Sequence, residues 1–260
     1  MCELFGMSSR LSTNVTFSLA VLGERGGRLG PHKDGWGIAF NEGKDFRIIK
    51  EAAPASGSAC LLFIEGHDFK SNIVISHIRR ATAPTVPSFT NTHPFARELY
   101  GFTHAFAHNG DVPGVFEDGR FGPRYYYPQG DTDSERAFCS LLDRLRDGLT
   151  PATVMRFEEK LPIVEKWASE VSQFGVFNFL LSDSRHLYAH RSTNLFYVLR
   201  ECVSETECLK SEELTIRLAQ HSNGMQRVAA VATEPLTRDE GWRPLLKGEV
   251  AAFLDGERIS

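Results

Sequence analysis

Ten short segments of apolar or alternating character limit what this chain can fold into: Leu4–Ser8, Gly37–Phe40, Phe46–Glu51, Ile73–Arg79, Phe102–His108, Val176–Leu181, His186–His190, Leu195–Leu199, Val228–Ala232 and Val250–Leu254. Each has the length and period of a β-strand. Turn chemistry joins several of them, as in Asn41-Glu42-Gly43-Lys44-Asp45 and Ser182-Asp183-Ser184-Arg185, so largely antiparallel sheets are expected. Two helical stretches interrupt the strands. The first opens on the capping box Thr132-Asp133-Ser134-Glu135, sets Phe138, Leu141, Leu142 and Leu145 on one face, and stops near Gly148. The second opens at Thr150-Pro151 and carries Val154, Phe157, Leu161, Val164, Trp167 and Val171, with Pro162 expected to kink or split it. No repeat, linker or low-complexity stretch divides the 260 residues, so 1–260 reads as one domain of α+β class.

Charge narrows the function. Lys and Arg number 29 against 33 Asp and Glu, a net charge of −4, and the basic residues are scattered, which excludes a nucleic-acid footprint and leaves a small-molecule substrate. The five cysteines, Cys2, Cys60, Cys139, Cys202 and Cys208, are widely spaced and form no CxxC, so neither a disulfide framework nor a zinc knuckle is expected. A reducing cytoplasm fits that usage. Glu3, Ser8, Ser9 and Arg10 interrupt any secretory signal, and no run reaches the ~20 apolar residues of a membrane span. The stretch Gly23-Glu24-Arg25-Gly26-Gly27-Arg28-Leu29-Gly30 lacks both G-x-G-x-x-G and the P-loop Lys-Ser/Thr, and reads as a mobile surface loop.

Cys2 lies directly behind the initiator methionine in Met1-Cys2-Glu3-Leu4-Phe5-Gly6. Removal of one residue would give it a free α-amine, with a pKa of about 8 against about 8.5 for a thiol, so nucleophile and base would share one residue. The competing reading is a small apolar residue opening a strand.

Four more segments carry chemistry. Ser76-His77-Ile78-Arg79-Arg80-Ala81-Thr82 is an apolar strand ending in guanidinium groups that can bind a carboxylate bidentately, or make an ordinary surface salt bridge. Phe102-Thr103-His104-Ala105-Phe106-Ala107-His108-Asn109-Gly110 is a strand running into an Asn-Gly turn. Its His104 and His108 would stand ~13 Å apart on a strand, too far to share a metal. The Asn109 amide and the Gly110 N–H are natural donors to a developing oxyanion, although Asn-Gly is also a common plain hairpin turn. In Gly130-Asp131-Thr132-Asp133-Ser134-Glu135 an acidic pair sits at a helix N-terminus, where it caps the helix or holds a substrate ammonium. His32-Lys33-Asp34-Gly35-Trp36-Gly37-Ile38-Ala39 is a tight turn leading into an apolar strand.

In order and rough spacing these segments resemble the class II glutamine amidotransferases, N-terminal-nucleophile (Ntn) hydrolases, over most of the chain. The resemblance is to the stand-alone YafJ-like type, on Met1-Cys2-Glu3-Leu4, Gly30-Pro31-His32-Lys33-Asp34-Gly35-Trp36-Gly37 and Asn91-Thr92-His93-Pro94-Phe95. It implies a four-layer α/β/β/α sandwich of two antiparallel sheets, with the mature chain starting at Cys2. It implies Cys2, Asn109 and Gly110 as catalytic residues, and Arg79, Asp133, His108 and Thr82 as substrate-binding ones, with no cofactor and no metal. The reaction implied is hydrolysis of a γ-glutamyl amide through a Cys2 thioester, releasing glutamate and ammonia. The protein would act as a free-standing glutaminase or feed a separate synthase subunit. Alternatives are a hydrolase of a larger γ-glutamyl compound and a non-catalytic glutamine-binding subunit. Two positions depart from the wider family's pattern: Arg80 stands where many members carry Trp, and His32-Lys33-Asp34 where many carry Arg-Gly-Tyr before the Asp.

Overall fold

A computed structural model describes residues 2–67, 69–81, 86–202, 208–210, 215–217, 226–237 and 241–260. In chain order the elements are β1 (Glu3–Asn14), α1 (Thr16–Arg25), β2 (Trp36–Asn41), β3 (Phe46–Glu51), α2 (Ala59–Gly66), β4 (Lys70–Ile78), β5 (Phe95–Leu99), β6 (Phe102–Asn109), α3 (Asp133–Gly148), α4 (Phe157–Val171), β7 (Asn178–Ser182), β8 (Leu187–His190), β9 (Phe196–Cys202), β10 (Cys208–Lys210), β11 (Thr215–Arg217), β12 (Gln226–Ala232), β13 (Arg243–Pro244), β14 (Val250–Leu254) and β15 (Glu257–Arg258). Every expected strand is present, most with ends moved by a few residues.

One sheet has the order β13-β9-β12-β1-β4-β2-β3 and the other β15-β14-β8-β7-β6-β5, with β10-β11 as a separate ribbon. All the pairings are antiparallel, as the hairpin signals require. Alternation along the strands builds three apolar layers. The facing surfaces of the two sheets meet through Leu4, Ala39, Ile75, Ala105, Ala107, Leu180, Ala229 and Val231, where alanines allow close approach. The other face of the first sheet packs Phe5, Ile38, Phe40 and Val74 against Leu19 and Leu22 of α1 and Leu61 and Ile64 of α2. The outer face of the second sheet packs Phe106 and Phe179 against Phe138, Leu141 and Leu142 of α3 and Val164, Trp167 and Val171 of α4. The result is the four-layer α/β/β/α sandwich.

Half of the capping box forms, the Thr132 hydroxyl accepting from the Glu135 N–H at 3.2 Å, while the Glu135 carboxylate reaches past the cap to the N–H groups of Gln129 at 3.1 Å and Gly130 at 2.7 Å. The second helix differs from expectation. It begins at Phe157, after a hydrogen-bonded turn in which the Val154 N–H reaches the Thr150 carbonyl at 2.9 Å, and it runs on through Pro162. Proline there removes one helical hydrogen bond, a loss that burial of Val164, Trp167 and Val171 outweighs. The glycine-rich stretch also differs, because Gly23–Arg25 close α1 before the loop begins. β5, the short β10, β11, β13 and β15, α1 and α2 were not expected from the sequence.

Candidate active site

β1 lies between β4 and β12 in the first sheet. Its first residues are locked, since the Leu4 N–H donates to Thr233 Oγ1 and the Thr233 N–H donates to the Leu4 carbonyl, both at 3.1 Å. Pairing of Glu3 with Ile78 then brings Cys2 to the end of β4. There Cys2 Sγ accepts from the Arg80 N–H at 3.3 Å and lies 3.4 Å from the Arg80 carbonyl. Burial pushes the Cys2 thiol above its ordinary range, against the opposing pull of the Arg80 backbone and the Arg79 charge.

Arg79 is 5% exposed, and its guanidinium makes one long hydrogen bond, to the Asp34 carbonyl at 3.5 Å. Among the described residues it pairs with no carboxylate, and burial lowers its pKa. The turn at His32-Lys33-Asp34-Gly35 staples this strand end: the Arg79 N–H donates to the Gly35 carbonyl at 2.7 Å, the Asp34 N–H to the Arg79 carbonyl at 3.1 Å, and the Ala81 N–H to Asp34 Oδ2 at 2.8 Å.

The second sheet contributes the end of β6. Gly110 has φ +146°, and a Cβ there would lie 1.8 Å from the Val176 carbonyl oxygen, so only glycine fits. Asn109 is buried, and its Oδ1 has no partner among the described residues. Asp133 is the first residue of α3, while Thr132 makes the cap. Its carboxylate accepts from the Val112 N–H at 2.6 Å and the Ser134 N–H at 2.7 Å, tying the helix to the segment after Asn109-Gly110. Burial holds the His108 imidazole below its ordinary value, and the Asp111 charge, which reaches both halves of the site, opposes that shift while adding to the rise of the Cys2 thiol.

His108, an expected substrate-binding residue, has its Nδ1 2.7 Å from the Ser134 hydroxyl and its Nε2 3.1 Å from the Val176 carbonyl. These contacts tie β6 to α3 and to the segment before β7. Thr82 lies outside the described residues. His77 and His93, which the sequence reading left without a role, pack ring against ring beside Arg79. Among the described residues no three His, Cys, Asp or Glu side chains are placed to hold a metal ion. No described helix is long and apolar enough to cross a membrane.

Residues 1–260 match the family of class II glutamine amidotransferases. The chain is 40% identical over 261 residues to the Escherichia coli K12 protein YafJ, whose name places it provisionally among glutamine amidotransferases, and the match covers all of both chains. A Haemophilus influenzae protein with a similar provisional name is 35% identical, covering all of this chain and 86% of the relative. A crystal structure of a predicted glutamine amidotransferase from Pseudomonas aeruginosa superposes with a TM-score of 0.73 at 35% identity, over the whole of both chains. A Bacillus subtilis glutamine phosphoribosylpyrophosphate amidotransferase shares the fold alone, with a TM-score of 0.64 at 17% identity over 49% of its length. With the match running the full length of the chain and of its Escherichia coli relative, this protein belongs to the class II glutamine amidotransferase family.

Proposed function

We propose that the protein hydrolyses the side-chain amide of glutamine, or a close γ-glutamyl amide, with Cys2 as nucleophile once Met1 is removed. The observation that carries this reading is Arg79. A guanidinium buried to 5% exposure with one long backbone contact is costly unless an anion arrives, and it stands at the strand end that brackets the Cys2 sulfur. Arg79 binds the substrate α-carboxylate. Asp133, which keeps acceptor capacity beyond its backbone donors, binds the α-ammonium.

The chemistry follows from that orientation. The Cys2 thiol, held protonated by burial, passes its proton to its own α-amine as sulfur attacks the amide carbon. The oxyanion is held by the Asn109 amide and the Gly110 N–H. The ammonium returns the proton to the departing nitrogen as the C–N bond breaks, leaving a thioester and ammonia. Water then cleaves the thioester to glutamate and free thiol. The whole chain acts as one catalytic domain, and the ammonia either escapes or is passed to a separate synthase.

The test is glutamate release by the processed protein. Cys2→Ala is expected to abolish it with the fold intact, and a glutamine-like diazoketone is expected to label Cys2. Label on Cys60 or Cys139 instead, or turnover by Cys2→Ala, would sink the assignment.

A further inference from the structure

His77 lies in β4, paired with Leu4 of β1 on one side and Gly37 of β2 on the other. Gly37 shapes what sits above it. A Cβ at position 37 would lie 2.2 Å from the His93 carbonyl oxygen and 3.0 Å from Pro94 Cδ, so the missing side chain lets this loop press onto the sheet. The His93 ring consequently rests on His77, with centroids 4.4 Å apart and planes inclined at 41°, and it also meets Phe95, with centroids 4.4 Å apart.

The pair is buried, at 0% exposure for His77 and 3% for His93, and none of its four ring nitrogens makes a hydrogen bond of good distance and angle among the described residues, the nearest approach being that of the His108 backbone to His77. The rings do not serve each other. Imidazole N–H bonds and lone pairs lie in the ring plane, and in this tilted contact no nitrogen of one ring bonds the other. Both rings stay neutral, because burial comes first and the side chains acting on them are cationic or capable of becoming so: Arg79, His108 and His32 on His77, where the His108 backbone opposes them only weakly, and His77, His108, Arg79 and Lys50 on His93. Each ring therefore presents one donor and one acceptor. Leaving all four unmet would cost a large share of a domain's marginal stability.

We propose that His77 and His93 form an internal binding site for a small neutral molecule that both donates and accepts hydrogen bonds, namely water, and that the hydrated pair positions Arg79. A water bridging the two rings satisfies one donor and one acceptor at once. His77 and Arg79 project to the same side of β4, two residues apart, so a hydrated imidazole backs the guanidinium without adding a second positive charge. A carboxylate would also satisfy an imidazole, but it would neutralise the cation that the site presents.

The first arm of the test needs no substrate, so its outcome is separable from the glutaminase reading. A crystal structure that resolves ordered water is expected to show one within about 2.7–3.2 Å of a ring nitrogen of His77 or His93. His77→Phe and His93→Phe are expected to melt no higher than the wild type. Dry rings, or a melting temperature that rises in either variant, overturn the site, because unmet polar atoms are the ones whose removal stabilises. The positioning part does rest on the glutaminase reading. In His77→Phe the KM for glutamine is expected to rise several-fold with kcat nearly unchanged, and His77→Asn to recover part of the loss. A wild-type KM in His77→Phe overturns that part, whereas failure of the glutaminase reading itself would appear as no turnover by the wild type.

Discussion

Two buried charges, at opposite ends of the sandwich, are treated in opposite ways. Asp183, in the β7–β8 turn, is fully buried and surrounded by donors: Lys160 Nζ from α4, His186 Nδ1 at 3.1 Å, the Tyr188 hydroxyl at 3.3 Å, and the N–H groups of Arg185 at 3.0 Å and His186 at 2.7 Å. Burial alone would raise its carboxyl; Lys160 and His186 outweigh that and hold it well below the usual carboxylate range. Arg79, at the end where Asn109 pairs with Asn178, has one long contact. A buried charge whose every bond is met by protein is a fastening. One left waiting suits a receptor, the role proposed for Arg79, and the contrast sets the two ends of the sandwich apart without any knowledge of substrate.

Lys160→Ala should give the largest effect. It strands the Asp183 carboxylate, and loss of about 3–5 kcal/mol in urea unfolding is expected, with the KM for glutamine unchanged while the protein stays folded. Loss of activity before loss of structure would break the contrast. Asn109→Ala should lower kcat about 10²–10³-fold with a small change in KM, since its amide acts on charge present only in the transition state. An equal loss in binding a ground-state analogue would make Asn109 a clamp instead. Arg79→Ala should weaken glutamine binding by about 2 kcal/mol or more while leaving thermal stability equal or higher, because it removes a charge that the fold itself does not pair. A marked drop in stability would place Arg79 with the fastenings.

The smallest expected effect is on pH. A histidine held below its ordinary value takes up a proton on unfolding, so its contribution is complete above about pH 6.5 and is lost as pH falls toward the folded value. His77, pulled down to about 3 by burial and Arg79, and His104, pulled to about 4 by burial and Lys160, act in that window. Asp183 has a depressed carboxyl, so its contribution is lost only below about pH 4. Urea midpoints at stepwise pH should therefore fall in two stages, and His77→Phe should shrink the first alone. A single decline confined below pH 4 would show that the histidines carry no part of it.

The strands were legible because alternation and hairpin chemistry act within a few residues. Asn41-Glu42-Gly43-Lys44-Asp45 forms its turn through contacts no longer than its own span, such as the Glu42 N–H to the Asp45 carbonyl at 2.8 Å. α1 was missed because its N-cap is Val15, with no side-chain hydrogen bond to announce it. α2 did carry a signal, Ser58 accepting from the Leu61 N–H at 3.1 Å, but the run Ala59-Cys60-Leu61-Leu62-Phe63-Ile64 has no polar period to separate helix from strand. The segments carrying Cys2, Arg79 and Asn109 stood out by residue type and order. His77 with His93, and Lys160 with Asp183, did not, since each pair is joined by the packing of two layers or a loop folding back, and neither leaves a local pattern.

Chain ends ordinarily fray, and a reactive group placed on one would spend most of its time misaimed. β1 reverses that, since its neighbours β4 and β12 hold it on both sides from Glu3 and Phe5 onward. The freedom that a flexible terminus would have to surrender at each catalytic cycle is surrendered once, when the sheet closes. Such a terminus has no slack to give. On the proposed reading of Cys2 as nucleophile, a fusion partner joined ahead of it would act as a permanent off-switch, whereas one joined after the exposed Ser260 would leave the first strand untouched.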